Sequence, residues 1–251
     1  MEDPPRLVAS DIDGTLLRDD RTLSPRTAAV LARIAAAGTP VVLVTGRPIR
    51  WLPMVYEQLA APLPAICANG AVVYDPDADQ VLRADPLAPE LLAEVARRLR
   101  AEVHYPLRWD ADLDAIRAVE SPEELLAAPA VKLLARAGEQ DPDVFVRVVA
   151  GALEGLAEAT HSSYSGLIEI SAAGVTKAAG LAWYAERLGV NERDVVAFGD
   201  MPNDVPMLAW AGRAVAVANA HPAVREIAPE VTGPNTEDGV AAYLEKVFEL
   251  D

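Results

Sequence analysis

Cysteine is almost missing from this chain of 251 residues: Cys67 is its sole representative. An intramolecular disulfide is therefore excluded, and the position of Cys67 in an apolar run predicts core packing in a reducing compartment. Positive charge is also in short supply, with 22 Lys and Arg against 38 Asp and Glu and a formal net charge of −16. Most of the surface would repel a nucleic-acid backbone or an anionic membrane, so any phosphate-bearing ligand needs a locally positive site. No apolar run reaches the length of a membrane span, and Met1-Glu2-Asp3-Pro4-Pro5 lacks the basic start of a secretory signal. A cytoplasmic protein is the expectation. Internal repeats and low-complexity tracts are lacking too.

What is present is a soluble globular composition, 51% hydrophobic and 24% charged, long enough for one large domain or two smaller ones. Leu7-Val8-Ala9-Ser10 reads as a buried strand that runs into the turn Asp11-Ile12-Asp13-Gly14-Thr15. Ser24-Pro25 supplies an N-cap and first-turn proline for a helix to about Ala37, which Gly38 stops. A second strand over Pro40 to Val44 ends at Thr45-Gly46-Arg47-Pro48. A helix is expected from there to about Leu59, followed by a strand at Ala65-Ile66-Cys67-Ala68 and then Asn69-Gly70. This β/α alternation predicts a parallel sheet with right-handed crossovers and ligands at the carboxyl ends of its strands, where each polar motif falls.

Between about residues 81 and 173 the pattern changes to α+β. A helix is expected near Pro89–Arg100, apolar stretches at Val103–Leu107 and Leu113–Val119, a short helix from Ser121, and a strand at Val131–Ala135. A helix over Asp141–Leu153 and strands near Ala157–His161 and Leu167–Ser171 complete the segment. The β/α rhythm then resumes with a helix at Thr176–Leu188, the strand Val195–Phe198 and another at Val215–Val217. The expected organisation is one domain from residues 1–80 and 174–251, with an inserted domain over 81–173 joined through two short connections that could act as a hinge.

The polar motifs carry the chemistry. Side-chain direction repeats every two residues in a strand, so Asp11 and Asp13 can converge on one atom; alone, such a pair is as well explained by acidic turn residues. Thr45 offers a hydroxyl and an exposed amide at a strand exit, Gly46 allows close approach, and a following helix N-terminus would favour an anion. An ordinary N-cap would look the same. Lys177 at a helix start would place an ammonium where carboxylates and phosphate would otherwise repel each other, although alone it is better explained as a surface helix residue. Gly199-Asp200-Met201-Pro202-Asn203-Asp204 gathers hard oxygen donors of the kind magnesium prefers, although Asn203 or Asp204 could simply cap a helix.

Taken in order, Asp11-Ile12-Asp13-Gly14-Thr15, Thr45-Gly46-Arg47, Asn69-Gly70-Ala71, Lys177 and Gly199-Asp200 with Asn203-Asp204 resemble the haloacid dehalogenase superfamily and its Cof-type (subfamily IIB) phosphatases over nearly the whole chain. The resemblance implies a Rossmann-like parallel-sheet core with an inserted α+β cap of the C2B type. It implies a phosphatase in which Asp11 attacks phosphorus and Asp13 protonates the leaving alkoxide, then activates water. Magnesium would be held by Asp11, the Asp13 carbonyl and Asp200, with Asn203 and Asp204 one layer out. Thr45 and Lys177 would bind phosphoryl oxygens, and Gly14, Gly46, Arg47, Asn69 and Asn203 complete the expected phosphate and substrate site.

A small phosphorylated metabolite is the expected partner, with discrimination left to whatever covers the leaving group. Candidate cap stretches are Tyr105-Pro106-Leu107-Arg108-Trp109 and His161-Ser162-Ser163-Tyr164-Ser165, although Trp109 and Tyr164 could pack locally and the serines could be plain hairpin connectors. His104 and His161 are expected to be structural or solvated. A phosphomutase is the alternative enzyme, and a non-catalytic metabolite-binding protein on the same fold is the alternative of another class. Substrate identity and oligomeric state have no signature in the sequence.

Overall fold

The structure, a computed structural model, describes residues 4–102, 108–112, 126–136, 141–162 and 167–250. The first strand, β1 (Leu7–Ser10), is a wholly buried run of the kind a sheet covered on both faces requires. Helix α1 (Pro25–Ala36) starts where the Ser24 side chain accepts from Thr27 N, and its Thr27, Val30, Leu31 and Ile34 stripe is buried. β2 (Val41–Val44) follows. The long helix expected after Pro48 is replaced by a 3₁₀ turn at Ile49–Trp51 and a single turn, α2 (Pro53–Tyr56). Pro48 and Pro53 each remove a backbone donor within six residues, which accounts for the interruption. After β3 (Ala65–Cys67) the chain adds an antiparallel hairpin, β4 (Val72–Asp75) and β5 (Gln80–Ala84), to the same sheet. The expected change of pattern at residue 81 thus falls inside a strand of the large sheet.

Next come α3 (Pro89–Glu102), β6 (Arg108–Asp112), β7 (Lys132–Arg136), α4 (Pro142–Ala152), β8 (Ala157–Thr160) and β9 (Leu167–Ala172). Their strands form a separate antiparallel sheet in the order β6-β7-β9-β8. β9 alternates cleanly: Ile168 and Ile170 enter a cluster with Leu92, Leu133, Phe145 and Val149, so Glu169 and Ser171 take the opposite face. The apolar stretches expected at 103–107 and 113–119, and the helix expected from Ser121, lie outside the described residues.

The large sheet is then completed by α5 (Lys177–Leu188), β10 (Val195–Gly199), α6 (Val205–Trp210), β11 (Arg213–Val217), α7 (Pro222–Ile227), β12 (Glu230–Thr232) and α8 (Gly239–Val247). Its order is β12-β11-β10-β1-β2-β3-β4-β5, parallel from β12 to β3. The winding reverses at β1, with β2 on one side and β10 on the other, and a crevice opens beyond the carboxyl end of such a strand. The large sheet has its own hydrophobic cluster, which shares no buried residue with that of the small one. Among the described residues no helix is long and apolar enough to cross a membrane.

One close approach fixes the start of α5 against the end of β3. Gly70 sits at φ +104°, and a Cβ there would lie 2.0 Å from the Thr176 carbonyl oxygen. Any side chain must push Thr176, and with it Lys177, away from the strand end. We expect Gly70→Ala to lower the unfolding free energy by about 3 kcal/mol through strain and overpacking combined. Urea unfolding checks this, and a loss under about 0.5 kcal/mol would contradict the packing account.

Candidate active site

Parallel pairing of β1 with β10 and β2 brings Asp11, Asp200 and Thr45 out at one edge of the sheet. The backbone N–H of Asp11 still donates to Phe198 O at 3.0 Å, so Asp11 is held as firmly as a strand residue. Lys177 opens α5, whose Thr176 cap accepts from Ala179 N at 3.1 Å. Its Nζ donates to Asp11 Oδ1 at 2.5 Å and to Asp204 Oδ1 at 2.6 Å, with the lysine side chain 0% exposed. Burial favours loss of the ammonium's proton, but the two carboxylates outweigh it and raise its pKa, so Lys177 stays charged. Asp204 Oδ2 in turn accepts from the backbone N–H groups of Asp200 and Met201, both at 3.0 Å. Asp204 is therefore a brace, tying the ammonium to the loop after β10.

Asp11, Asp200 and Asp204 can bring one carboxylate oxygen each within 4.8 Å of one another. A single ammonium leaves this buried group with excess negative charge. Burial, with Asp204 next, raises Asp200 to about 7, and burial raises Asp11 well above the usual carboxylate range despite the attraction of Lys177. Both oxygens of Asp204 are committed, and Asp200 Oδ1 accepts from the Thr15 hydroxyl at 3.1 Å. Asp11 Oδ2 and Asp200 Oδ2 have no hydrogen bond among the described residues. A small divalent cation fits this donor set: hard oxygens, surplus charge, and few enough protein ligands for substrate and water to complete an octahedron. Gly14 shapes the pocket, since at its φ of +80° a Cβ would come within 2.3 Å of Asp200 Oδ2.

Asp13 stands apart from these three. Its side chain is 49% exposed and is gripped by Arg47, Nε to Oδ2 at 2.7 Å and Nη2 to Oδ1 at 2.6 Å. The third guanidinium nitrogen, Nη1, is buried without a partner among the described residues, beside the carboxylate. The Thr45 amide, expected to be exposed, instead donates to Ile66 O at 2.8 Å because β2 pairing continues one residue past the strand. The Thr45 hydroxyl accepts from Arg47 N at 3.0 Å. Asn69 Oδ1 accepts from Asn203 Nδ2 at 3.0 Å, linking the loops after β3 and β10.

The small sheet presents its polar face to these loops, and here the structure adds Glu169 and Lys132, which the sequence reading did not single out. Asn69 Nδ2 donates to Glu169 Oε2, Ser162 Oγ donates to Glu169 Oε1 at 2.8 Å, and Lys132 Nζ donates to Gly46 O at 2.7 Å. The signal was available in the alternation of Leu167-Ile168-Glu169-Ile170-Ser171, where the two polar side chains share a face. His161 is buried with its Nε2 2.9 Å from Asp143 Oδ1, and His221 Nε2 reaches the other Asp143 oxygen at 3.2 Å, a further tie between the two layers. Of the expected cap stretches, residues 105–107 and 163–165 lie outside the described residues, as does His104.

A family model described as haloacid dehalogenase-like hydrolase matches residues 8–109 and 110–244. The chain is similar to the 5-amino-6-(5-phospho-D-ribitylamino)uracil phosphatase YitU of Bacillus subtilis, 32% identical over 100% of both chains. It is 31% identical to the pyridoxal phosphate phosphatase YbhA of Escherichia coli, over 95% of this chain and 97% of that one. Among solved structures, the phosphatase BT1666 of Bacteroides thetaiotaomicron shares the fold, with a TM-score of 0.83 at 23% identity over 96% of this chain and 94% of the other. The chain belongs to the haloacid dehalogenase-like hydrolases, and within that family it is a phosphatase.

Proposed function

We propose that this enzyme hydrolyses the phosphomonoester of a small metabolite through a phosphoryl group carried on Asp11. The observation that carries the reading is the buried Asp11 at the end of the central strand, with one oxygen fixed on the Lys177 ammonium and the other open. Asp11 Oδ2 attacks phosphorus as the ester bond breaks on the opposite side. Lys177 and Arg47, whose Nη1 has no partner among the described residues, supply positive charge for phosphoryl oxygens in a chain that is otherwise strongly acidic. Asp13 gives a proton to the departing oxygen and later takes one from the water that frees Asp11. Arg47 donates one hydrogen bond to each Asp13 oxygen, and each oxygen keeps a further lone pair that can hold the proton. Mg²⁺ held by Asp11, Asp200 and the Asp13 carbonyl would supply the charge that lets a carboxylate approach a phosphoryl dianion.

In this reading the large sheet is the catalytic domain, and the small sheet with α3 and α4 is a cap that covers the leaving group. Their separate cores and polar interface support the division. The named relatives take a ribitylaminouracil phosphate and pyridoxal phosphate, chemically unlike leaving groups on one phosphate handle. That contrast supports a small phosphorylated metabolite as substrate, with identity set by the cap.

Asp11→Asn should lower kcat by about three orders of magnitude or more with melting unchanged or raised, since an amide cannot attack phosphorus. Substantial turnover by the purified variant would sink the assignment. Asp13→Asn should hurt alkyl phosphates far more than aryl phosphates, whose leaving groups need little protonation; equal losses would remove Asp13 from that role.

Metal and pH should be linked through Asp200. Its folded pKa of about 7 exceeds the ordinary 3.8, so the metal-free native state binds more protons than the unfolded chain between those values. Stability should therefore fall as pH rises through that window. Melting temperatures without metal should show this fall in the wild type and less of it in Asp200→Asn. Added Mg²⁺ should raise the wild-type midpoint more at about pH 7.5 than at about pH 5. Parallel pH profiles for the two proteins would show that Asp200 is not carrying the strain.

A further inference from the structure

The turn that carries Asp13 is braced by two asparagines that the proposed chemistry does not use. Asp13 is half-exposed, with its carboxylate held by Arg47, and its position otherwise depends on the backbone of residues 12–17. That turn closes on itself where Ile12 O accepts from Leu16 N at 3.1 Å and from Leu17 N at 2.8 Å. Gly14, next to Asp13, sits at φ +80° and has no side chain to limit the backbone there. The limit comes from three successive strand exits. After β10, Asp200 Oδ1 accepts from the Thr15 hydroxyl at 3.1 Å. After β11, Asn219 Nδ2 donates to Gly14 O at 2.8 Å. After β12, the buried Asn235 donates from Nδ2 to Leu17 O at 2.9 Å and to Asp19 Oδ1 at 3.2 Å. The two asparagines are joined, since Asn235 N donates to Asn219 Oδ1 at 2.9 Å. Carbonyls and carboxylates only accept and a backbone N–H only donates, so neither side-chain amide can flip without losing its bonds.

We propose that Asn219 and Asn235 are positioning residues that hold the Asp13 carboxyl where it meets the leaving oxygen, a role that rests on the phosphatase reading above. Proton transfer needs the donor oxygen within about 2.6–3.2 Å of the acceptor, and a misplacement of about 1 Å can cost a hundredfold in rate. A glycine beside the acid leaves the backbone free to swing, and Asn219 removes that freedom by fixing the Gly14 carbonyl. Asn235 fixes the far end of the same turn at Leu17 and, through its N–H, the Asn219 side chain. The nucleophile is held by other means: Asp11 N donates to Phe198 O, and Asp11 Oδ1 accepts from Lys177. Loss of either asparagine therefore displaces the proton donor and leaves the attacking carboxylate in place.

The test measures kcat/KM, which covers the steps up to departure of the leaving group, for an alkyl ester, ribose 5-phosphate, and an aryl ester, 4-nitrophenyl phosphate. The proteins are the wild type, Asn219→Ala, Asn235→Ala and Asp13→Asn, with each asparagine variant also combined with Asp13→Asn. In Asn219→Ala the ratio of alkyl to aryl kcat/KM should fall by about tenfold, because the aryl leaving group departs with little help from a proton. Asn235→Ala should shift the ratio the same way, and Asn219→Ala, at an exposed position, carries the test if the buried site does not tolerate alanine. On the Asp13→Asn background neither asparagine variant should change the ratio further, since the group they position is gone. A ratio unchanged in the single variants, with both esters lowered together, would overturn the inference and leave the asparagines as a structural clasp. The same fall with and without Asp13 would overturn it too. Equal losses of both esters in Asp13→Asn itself would instead overturn the proton-donor role on which the inference rests, and no turnover by the wild type would overturn the phosphatase reading.

Discussion

The constraint on which the site depends is the burial of one ammonium among three carboxylates. Lys177 is fully enclosed and touches Asp11 and Asp204 at hydrogen-bond distance, while Asp200 adds a further negative charge nearby. Removing the ammonium would leave the buried carboxylates uncompensated, at a typical cost of about 3–5 kcal/mol. Much of the surrounding fold serves this arrangement. Parallel pairing aligns the ends of β1 and β10, the Asp204 brace closes the loop after β10, and the tight contact at Gly70 seats the first turn of α5 against the strand ends. In the proposed reaction the same ammonium leaves one Asp11 oxygen free, aims it, and faces the incoming phosphoryl group with positive charge.

The second sheet solves a different problem. Its apolar face is buried against α3 and α4, its polar face meets the catalytic loops through Lys132 and Glu169, and Asp143 at the start of α4 stands between His161 and His221. Contacts that are polar and locally few can be exchanged for contacts to a ligand, whereas an apolar seam would hold the layers shut. Chemistry common to all phosphate esters and recognition of a particular one thus fall to different sheets in the proposed division.

Much of the large sheet was legible in the sequence because buried parallel strands read as short apolar runs, and because the polar residues at their ends stand out against them. The structure brings together Asp11, Lys177, Asp200 and Asp204, residues nearly 200 positions apart, at the carboxyl ends of strands where the β/α rhythm led ligands to be expected. Other features depended on interactions that no local pattern carries. The Thr45 amide is consumed by pairing with β3, the prolines after Arg47 break the helix expected to reach about Leu59, and the β4–β5 hairpin extends the sheet past the apparent change of class. Glu169 and Lys132 were visible only as polar residues in alternating strands. Their meeting with Asn69 and Gly46 is a tertiary fact.

The central claim is that Asp11 carries the phosphoryl group. It is tested most directly by trapping that group in Asp13→Asn, using an aryl phosphate whose leaving group needs no proton while hydrolysis of the intermediate lacks its base. Rapid acid quench, digestion and mass spectrometry should find one phosphoryl group on the peptide that contains Asp11. Turnover without any phosphorylated enzyme, or a phosphoryl group on another residue, would contradict the account.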